Sequence, residues 1–128
     1  MREILFRGKR RNNGEWVHGN LVCWKDGSAS LDDGSCDMPQ WAIDPATVGQ
    51  YTGLTDKNGK RIFEGDIVLF DYIGGNRGVN GKAVVAFNNG KFGVFWGWHK
   101  EFVSLDGFAN TTSEVIGNIH DNPELLEA

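Results

Sequence analysis

Tight-turn signals divide this chain into short segments, and they restrict its fold more than any other feature. Glycine accounts for 18 of the 128 residues, about twice its usual share of roughly 7%. Asn-Gly pairs recur along the chain, at 13–14, 58–59 and 89–90. Asparagine and glycine tolerate the positive φ that tight hairpin turns require. We therefore expect short strands joined by turns rather than long helices.

The segments between these turns carry strand patterns. Side chains alternate from 15 to 25, which places Val17, Gly19, Leu21 and Cys23 on one face of a half-buried strand. The opposite face would hold Trp16, His18, Asn20, Val22 and Trp24. Segment 26–37 is rich in Gly, Ser and Asp and predicts a loop or a poor hairpin.

The second half of the chain predicts five short strands. A glycine-rich loop at 74–81 and a turn at 88–90 separate successive strands, and a short helical tail follows the last one. In the tail, Asp121 or Asn122 would cap a helix that starts at Pro123. The predicted fold is therefore mainly β: an N-terminal β-rich region over 1–60, then an SH3-like β-barrel over 61–128, forming one compact unit.

Charge and hydropathy indicate the compartment and exclude some function classes. The formal net charge is −4, so the molecule as a whole lacks the basic field of a non-specific nucleic-acid binder. No run of about 18 apolar residues predicts a membrane span, and the first 11 residues are too charged for a secretory signal. Cys23 and Cys36 are then expected to be thiols in the cytoplasm.

Six blocks of the sequence resemble the motifs of the YopX family, which is made up of short proteins encoded by bacteriophages and prophages. The resemblance implies a C-terminal SH3-like barrel after a β-rich region, in a bacterial host cell. It implies no catalytic residues, because no activity is established for the family as a whole. The blocks are 1–9 (MREILFRGK), 14–19 (GEWVHG), 47–54 (TVGQYTGL), 56–59 (DKNG), 62–68 (IFEGDIV) and 115–126 (VIGNIHDNPELL).

Three carboxylates near the middle of the chain allow two interpretations. Asp56, Glu64 and Asp66 would bind a metal or form an acid/base pair if they converged. Alternatively, Gly65 permits a turn and Asp66 accepts backbone N–H groups where a strand begins. We favour the structural interpretation, because turn chemistry explains each of these residues.

An aromatic series supplies the best candidate for a binding surface. Phe92, Val94 and Trp96 would share one face of a strand, with Phe95 on the other. These aromatics either pack against the N-terminal region or form an exposed platform for a peptide or a single-stranded nucleic acid. Packing is favoured, and Phe95, Trp96 and Trp98 are the site candidates. The series is Phe87, Phe92, Phe95, Trp96, Trp98 and Phe102.

A basic cluster offers the rival surface. Arg7, Lys9, Arg10 and Arg11 follow one another near the start of the chain. They would contact phosphate, with Lys25 and Lys57 nearby if the fold allows it. Arg7, Arg10 and Arg11, used together with an aromatic platform, are the candidates for nucleic-acid binding. A solvated hairpin end is the ordinary explanation for such a cluster.

The remaining reactive residue types form no recognised motif. His18, His99 and His120 and the two cysteines lack zinc-ligand spacing. Neither a nucleophile elbow nor a phosphate-loop ending is present. We therefore expect no enzyme, no metal and no cofactor. The leading hypothesis is a phage-encoded protein-binding or adaptor module in the host cytoplasm; nucleic-acid binding is the alternative, and self-association is left open.

Overall fold

A computed structural model describes residues 4–32, 41–72, 79–88, 90–96, 101–104 and 113–126; of residues 70–72, 79, 80, 96 and 101 it describes the backbone only. These residues contain eleven strands and two short 3-10 helices. The 3-10 helices span Pro45–Thr47 and Pro123–Leu126. The strands are β1 (Phe6–Lys9), β2 (Trp16–Cys23), β3 (Ala29–Asp32), β4 (Trp41–Ile43), β5 (Gly49–Thr55), β6 (Arg61–Phe63), β7 (Asp66–Tyr72), β8 (Val79–Asn88), β9 (Lys91–Trp96), β10 (Glu101–Ser104) and β11 (Ser113–Asn118).

The chain divides into two compact units, residues 1–51 and 52–128. In the first unit, antiparallel strands follow the order β4-β3-β2-β1-β5. The hairpin between β1 and β2 turns at Gly14, whose φ of 71° suits glycine. Leu31 and Ile43 are completely buried on one face of this sheet. Gly8 lies opposite Val17 in that face, and a Cβ at Gly8 would overlap the Ile43 side chain.

The second unit begins within β5, whose second half neighbours β6. Its main sheet is antiparallel, in the order β10-β9-β8-β7-β11. One face of the sheet, together with β6, forms a cluster of buried residues, with Leu54, Phe92, Val103 and Val115 packed around it. Burial of this apolar area is the main stabilising term for a unit of this size. The buried residues are Ile62, Val68, Ala83, Val85 and Val94.

The C-terminal 3-10 helix lies against the second sheet. A Cβ at Gly117 would be 2.9 Å from Cδ1 of Leu125, so the tail packs closely on β11. Leu125 thus packs back on the second unit, whereas Leu126 is 43% exposed.

The strand and turn predictions are largely confirmed. The fold is mainly β, and segment 26–32 forms a hairpin with β2, turning at Gly27 with φ of 91°. The loop predicted over 74–81 is wrong at its end, because β8 starts at Val79 and pairs with β7. Within the described residues the strands form two antiparallel sheets and no closed barrel, so the SH3-like closure stays a prediction. No helix in the described part of the chain has the length and apolarity of a membrane span.

Candidate functional site

The β8–β9 hairpin carries large aromatic side chains on both of its faces. Val85 lies opposite Val94 and Phe87 opposite Phe92, so these four share the face that packs on the core. The rings of Phe87 and Phe92 meet edge to face, with centroids 5.0 Å apart. Phe87 is nevertheless 56% exposed, because it lies at the hairpin end beyond the buried cluster. The core-facing row of aromatics therefore reaches solvent.

Phe95 occupies the opposite face of the same hairpin. It lies across from Phe102 of β10, and the two ring centroids are 5.1 Å apart in an edge-to-face arrangement. Phe102 covers Gly93: a Cβ there would lie 2.7 Å from Cζ of the Phe102 ring and overlap the Val103 carbonyl oxygen. Phe95 itself is 44% exposed. Packing thus accounts for Phe102, while Phe95 presents apolar surface to solvent.

The side chains of the two tryptophans proposed as site residues are not among the described parts of the chain. Trp96 ends β9, and only its backbone is described. Trp98 lies outside the described residues. The sequence prediction that Phe92 and Val94 share a face is confirmed, and Val94 is fully buried.

A small pocket opens beside the β8–β9 turn. It has a volume of about 230 Å³ and is lined by Thr52, Leu54, Gly90, Lys91, Phe92 and Ser104. Its apolar residues, Leu54 and Phe92, pack against the buried cluster. Thr52 Oγ1 donates to the Ile62 carbonyl oxygen at 2.8 Å, which fixes its side chain. Sequence reasoning missed this pocket, because Leu54 and Phe92 are 38 positions apart in the sequence and no local pattern connects them.

The basic cluster is separated into two groups. Arg7 and Lys9 alternate with Gly8 and lie opposite His18 and Trp16 respectively. Cζ of Arg7 is 4.8 Å from the centre of the Trp16 ring, and Nζ of Lys9 is 5.5 Å from it. Such cation–π contacts stabilise a surface by about 0.5–1 kcal/mol each. Nε and Nη2 of Arg7 are shielded from solvent.

The other two arginines do not join this group along the strand. Arg10 forms a bridge with Ile43 of β4 instead of continuing the β1 face. Arg11 lies in the β1–β2 turn, is exposed, and donates its backbone N–H to the Ala42 carbonyl oxygen at 3.0 Å. The structure therefore brings Arg7 and Lys9 together over Trp16, and the four basic residues do not form one continuous row.

Asp56 is a structural residue. Its Oδ1 accepts the backbone N–H groups of Asn58 and Lys60 at 2.9 Å each, and its Oδ2 accepts that of Val115 at 2.9 Å. Burial by itself would raise the pKa of this carboxyl, but the N–H donors favour the charged form, and the net pKa is lowered. A carboxylate whose two oxygens both accept backbone N–H groups is poorly suited to proton transfer or metal binding.

Asp66 also follows the turn interpretation. Its Oδ2 accepts the Phe63 backbone N–H at 2.8 Å across a turn in which Gly65 has φ of 93°. The expectation that Asp66 accepts a backbone bond where a strand begins is confirmed. Among the described residues, no group of three or more histidine, cysteine, aspartate or glutamate side chains is placed to hold a metal ion.

The histidines and cysteines are dispersed. His18 is exposed on β2, and Cys23 at the end of β2 is an exposed free thiol. Cys36 and His99 lie outside the described residues. His120 lies in a turn that is stabilised by Asn118. Oδ1 of Asn118 accepts the backbone N–H groups of His120 and Asp121 at 3.0 and 2.9 Å. The predicted start of the helical tail at Pro123 is confirmed, and Asn122 lies at its cap position, where its carbonyl oxygen accepts the Leu125 backbone N–H at 3.0 Å. The role of Asn118 in the preceding turn was not predicted.

These features define the class: an all-β protein whose described surface presents exposed aromatic side chains on the β8–β9 hairpin. The chain belongs to the YopX family, because the model of the YopX protein family matches residues 5–127. The resemblance noted in the sequence blocks is thereby confirmed over nearly the whole chain.

One solved structure is similar to this chain over nearly its whole length. The chain is similar to the crystal structure of protein EF1440 from Enterococcus faecalis, with 29% sequence identity and a TM-score of 0.60. The similarity covers 99% of this chain and 100% of that one. No curated protein matches the chain.

Proposed function

We propose that this chain is a non-catalytic protein-binding or adaptor module, encoded by a phage or prophage and acting in the cytoplasm of the bacterial host. We also propose that its second unit is an SH3-like barrel. Support for the barrel comes from strand order: β7 to β10 form a meander, and the last strand, β11, returns beside the first. Membership of the YopX family supports the assignment to a phage or prophage.

The single observation that carries the binding proposal is the exposure of two phenylalanines on one hairpin. Phe87 is 56% and Phe95 44% exposed, on opposite faces of the β8–β9 hairpin. Aromatic side chains are enriched in protein interfaces and at the positions that contribute most to binding. Each ring is also supported by a second phenylalanine, which limits the entropy that binding would cost.

The experiment is affinity capture with substitution of each ring. The purified chain would be cross-linked in lysate of infected host cells, and captured proteins compared between wild type and the variants Phe87→Ala and Phe95→Ala. Lys82→Ala, at an exposed position of β8, is the matched control. We expect a specific partner with wild type and the control, and a loss of about tenfold or more with at least one phenylalanine variant.

Thermal unfolding of each variant separates binding from folding. Because both rings are substantially exposed, we expect the variants to stay folded at the assay temperature. Capture that is equal for wild type and both folded variants would contradict the proposed surface. Failure to capture any protein in a cross-linking series would contradict the proposed function.

A second candidate, nucleic-acid binding, is favoured by the placement of Arg7 and Lys9 over the Trp16 ring. Cations beside an aromatic ring are the usual elements of surfaces that bind single strands. The acidic total charge of −4 works against it. A gel-shift series over salt concentration, with single- and double-stranded DNA and RNA, discriminates the two candidates.

A further inference from the structure

The pocket beside the β8–β9 turn has the composition of an anchor for a single side chain. Its volume of about 230 Å³ is below the roughly 300–1,000 Å³ that is typical of sites for drug-sized ligands. Leu54 and Phe92 supply an apolar lining, and both pack against the core. The pocket is therefore supported by a rigid part of the second unit and suits one apolar group.

The surface next to the pocket extends this apolar area. Phe92 contacts Phe87 edge to face, with centroids 5.0 Å apart, and Phe87 is 56% exposed. The exposed phenylalanine that carries the proposed function therefore contacts one of the rings that line the pocket, without lining it itself. Central apolar pockets surrounded by exposed aromatic area are the usual location of strong interface contacts.

The charge of the pocket lining indicates which kind of partner residue would lie beside that apolar group. Lys91 is the charged residue among those that line the pocket, and it is exposed. Within the described residues, no carboxylate forms an ion pair with Lys91, whereas Lys57 pairs with Glu114 at 3.5 Å. A partner carboxylate close to the pocket would satisfy this ammonium group, and a basic group there would be repelled.

We propose that the pocket anchors a protein partner by taking one apolar side chain that stands beside an aspartate or glutamate in the partner's sequence. This inference rests on the proposed protein-binding function and specifies the chemistry of the partner. Leu54 and Phe92 contact the apolar side chain, and Lys91 pairs with the adjacent carboxylate.

The test is selection of short random peptides by display on the intact chain, with Lys91→Glu and Lys82→Glu proteins selected in parallel. Lys82 is an exposed lysine of β8 that does not line the pocket, so its variant controls for net charge. We expect wild type and Lys82→Glu to enrich apolar–acidic pairs. Lys91→Glu should lose them and enrich apolar–basic pairs instead.

Measured affinities for one enriched peptide give the expected sizes. Lys91→Gln should weaken binding by about two- to fivefold, as an exposed ion pair would. Replacing the apolar residue of the peptide by alanine should weaken it by roughly tenfold or more, since most of the buried area is lost. Amide NMR signals of Leu54, Lys91 and Phe92 should shift on titration.

Distinct results overturn the inference. Peptides enriched without an apolar–acidic pair, or enriched equally by wild type and Lys91→Glu, contradict it. Absence of any enriched peptide contradicts it as well. In each case the capture experiment with Phe87→Ala and Phe95→Ala decides the broader function independently, because neither phenylalanine lines the pocket.

Discussion

Asp56 links two parts of the second unit that are distant in sequence. Through Val115 its carboxylate joins the β5–β6 turn to β11, across 59 positions of the chain. We predict that Asp56→Asn lowers the free energy of unfolding by about 1–3 kcal/mol, because an amide offers one acceptor oxygen and leaves a partly buried N–H without its bond. Urea unfolding measures the change.

The control for Asp56→Asn is Asp26→Asn. Asp26 also accepts backbone and hydroxyl bonds, both from Ser28, but it lies in an exposed turn. Because its bonds compete with water, Asp26→Asn should change the free energy of unfolding much less than Asp56→Asn does. Equal effects of the two substitutions would show that the bond to Val115 contributes nothing particular.

The pH dependence of stability follows from the same carboxylate. Hydrogen bonds hold the pKa of Asp56 below its usual value of 3.8 in the folded chain. Ionised Asp56 therefore stabilises the fold fully above that value, and the contribution is lost as pH falls through the lower, folded-state pKa. We predict that the stability difference between wild type and Asp56→Asn is constant above about pH 5 and shrinks below about pH 4.

Chemical unfolding at a series of pH values measures this difference. A gap that stays constant down to about pH 2.5 would mean that folding does not lower the pKa of Asp56. At this scale the sequence shows that Asp56 belongs to a turn, because Asn58 and Gly59 follow it. It does not show the Val115 bond, since that contact depends on the tertiary fold.

At the scale of elements, the pairing of β9 with β10 depends on a missing side chain. The Phe102 ring and the Val103 carbonyl oxygen occupy the space where a Cβ of residue 93 would be. We predict that Gly93→Ala destabilises the fold by about 1–3 kcal/mol, as overpacking does. Thermal and urea unfolding measure it, with Lys91→Ala in the same strand as the control.

A double variant tests whether close packing between β9 and β10 causes the loss of stability in Gly93→Ala. The double variant Gly93→Ala/Phe102→Ala removes the ring but keeps the backbone oxygen, so it should not recover wild-type stability. A Gly93→Ala protein as stable as wild type would show that β10 can move away without loss. Proton signals of Phe95 would report such a movement, because its ring contacts Phe102.

Elements formed by residues close in the sequence were predictable, whereas those formed by residues distant in the sequence were not. The turns at Gly14, Gly59 and Gly90 have φ of 71°, 82° and 80°, and their Asn-Gly pairs carry that information locally. The Arg7–Trp16 contact also follows from one turn, because the short hairpin fixes the register between β1 and β2. The start of β8 and the pocket beside β9 depend on pairing between strands, which no local pattern encodes.

At the scale of the whole molecule, charge separates the two candidate functions. The net charge of −4 opposes a polyanion, while Arg7 and Lys9 attract one locally. Two phosphate contacts on a single strand would give a slope of about −1.4 for log affinity against log salt concentration. We predict no salt-sensitive retention of DNA or RNA at about 50 mM salt, because repulsion by the molecule outweighs two cations that already contact a tryptophan ring.

Gel shifts with Arg7→Gln and Lys9→Gln proteins test this prediction against its rival. Retention at low salt with a slope near −1.4 that becomes shallower in either variant would contradict it and support the nucleic-acid candidate. Retention that is unchanged in both variants would also contradict it, and would place binding on another surface. If neither DNA nor RNA is retained, the exposed rings of Phe87 and Phe95 are the remaining candidate binding surface. The protein-capture experiment then identifies what binds there.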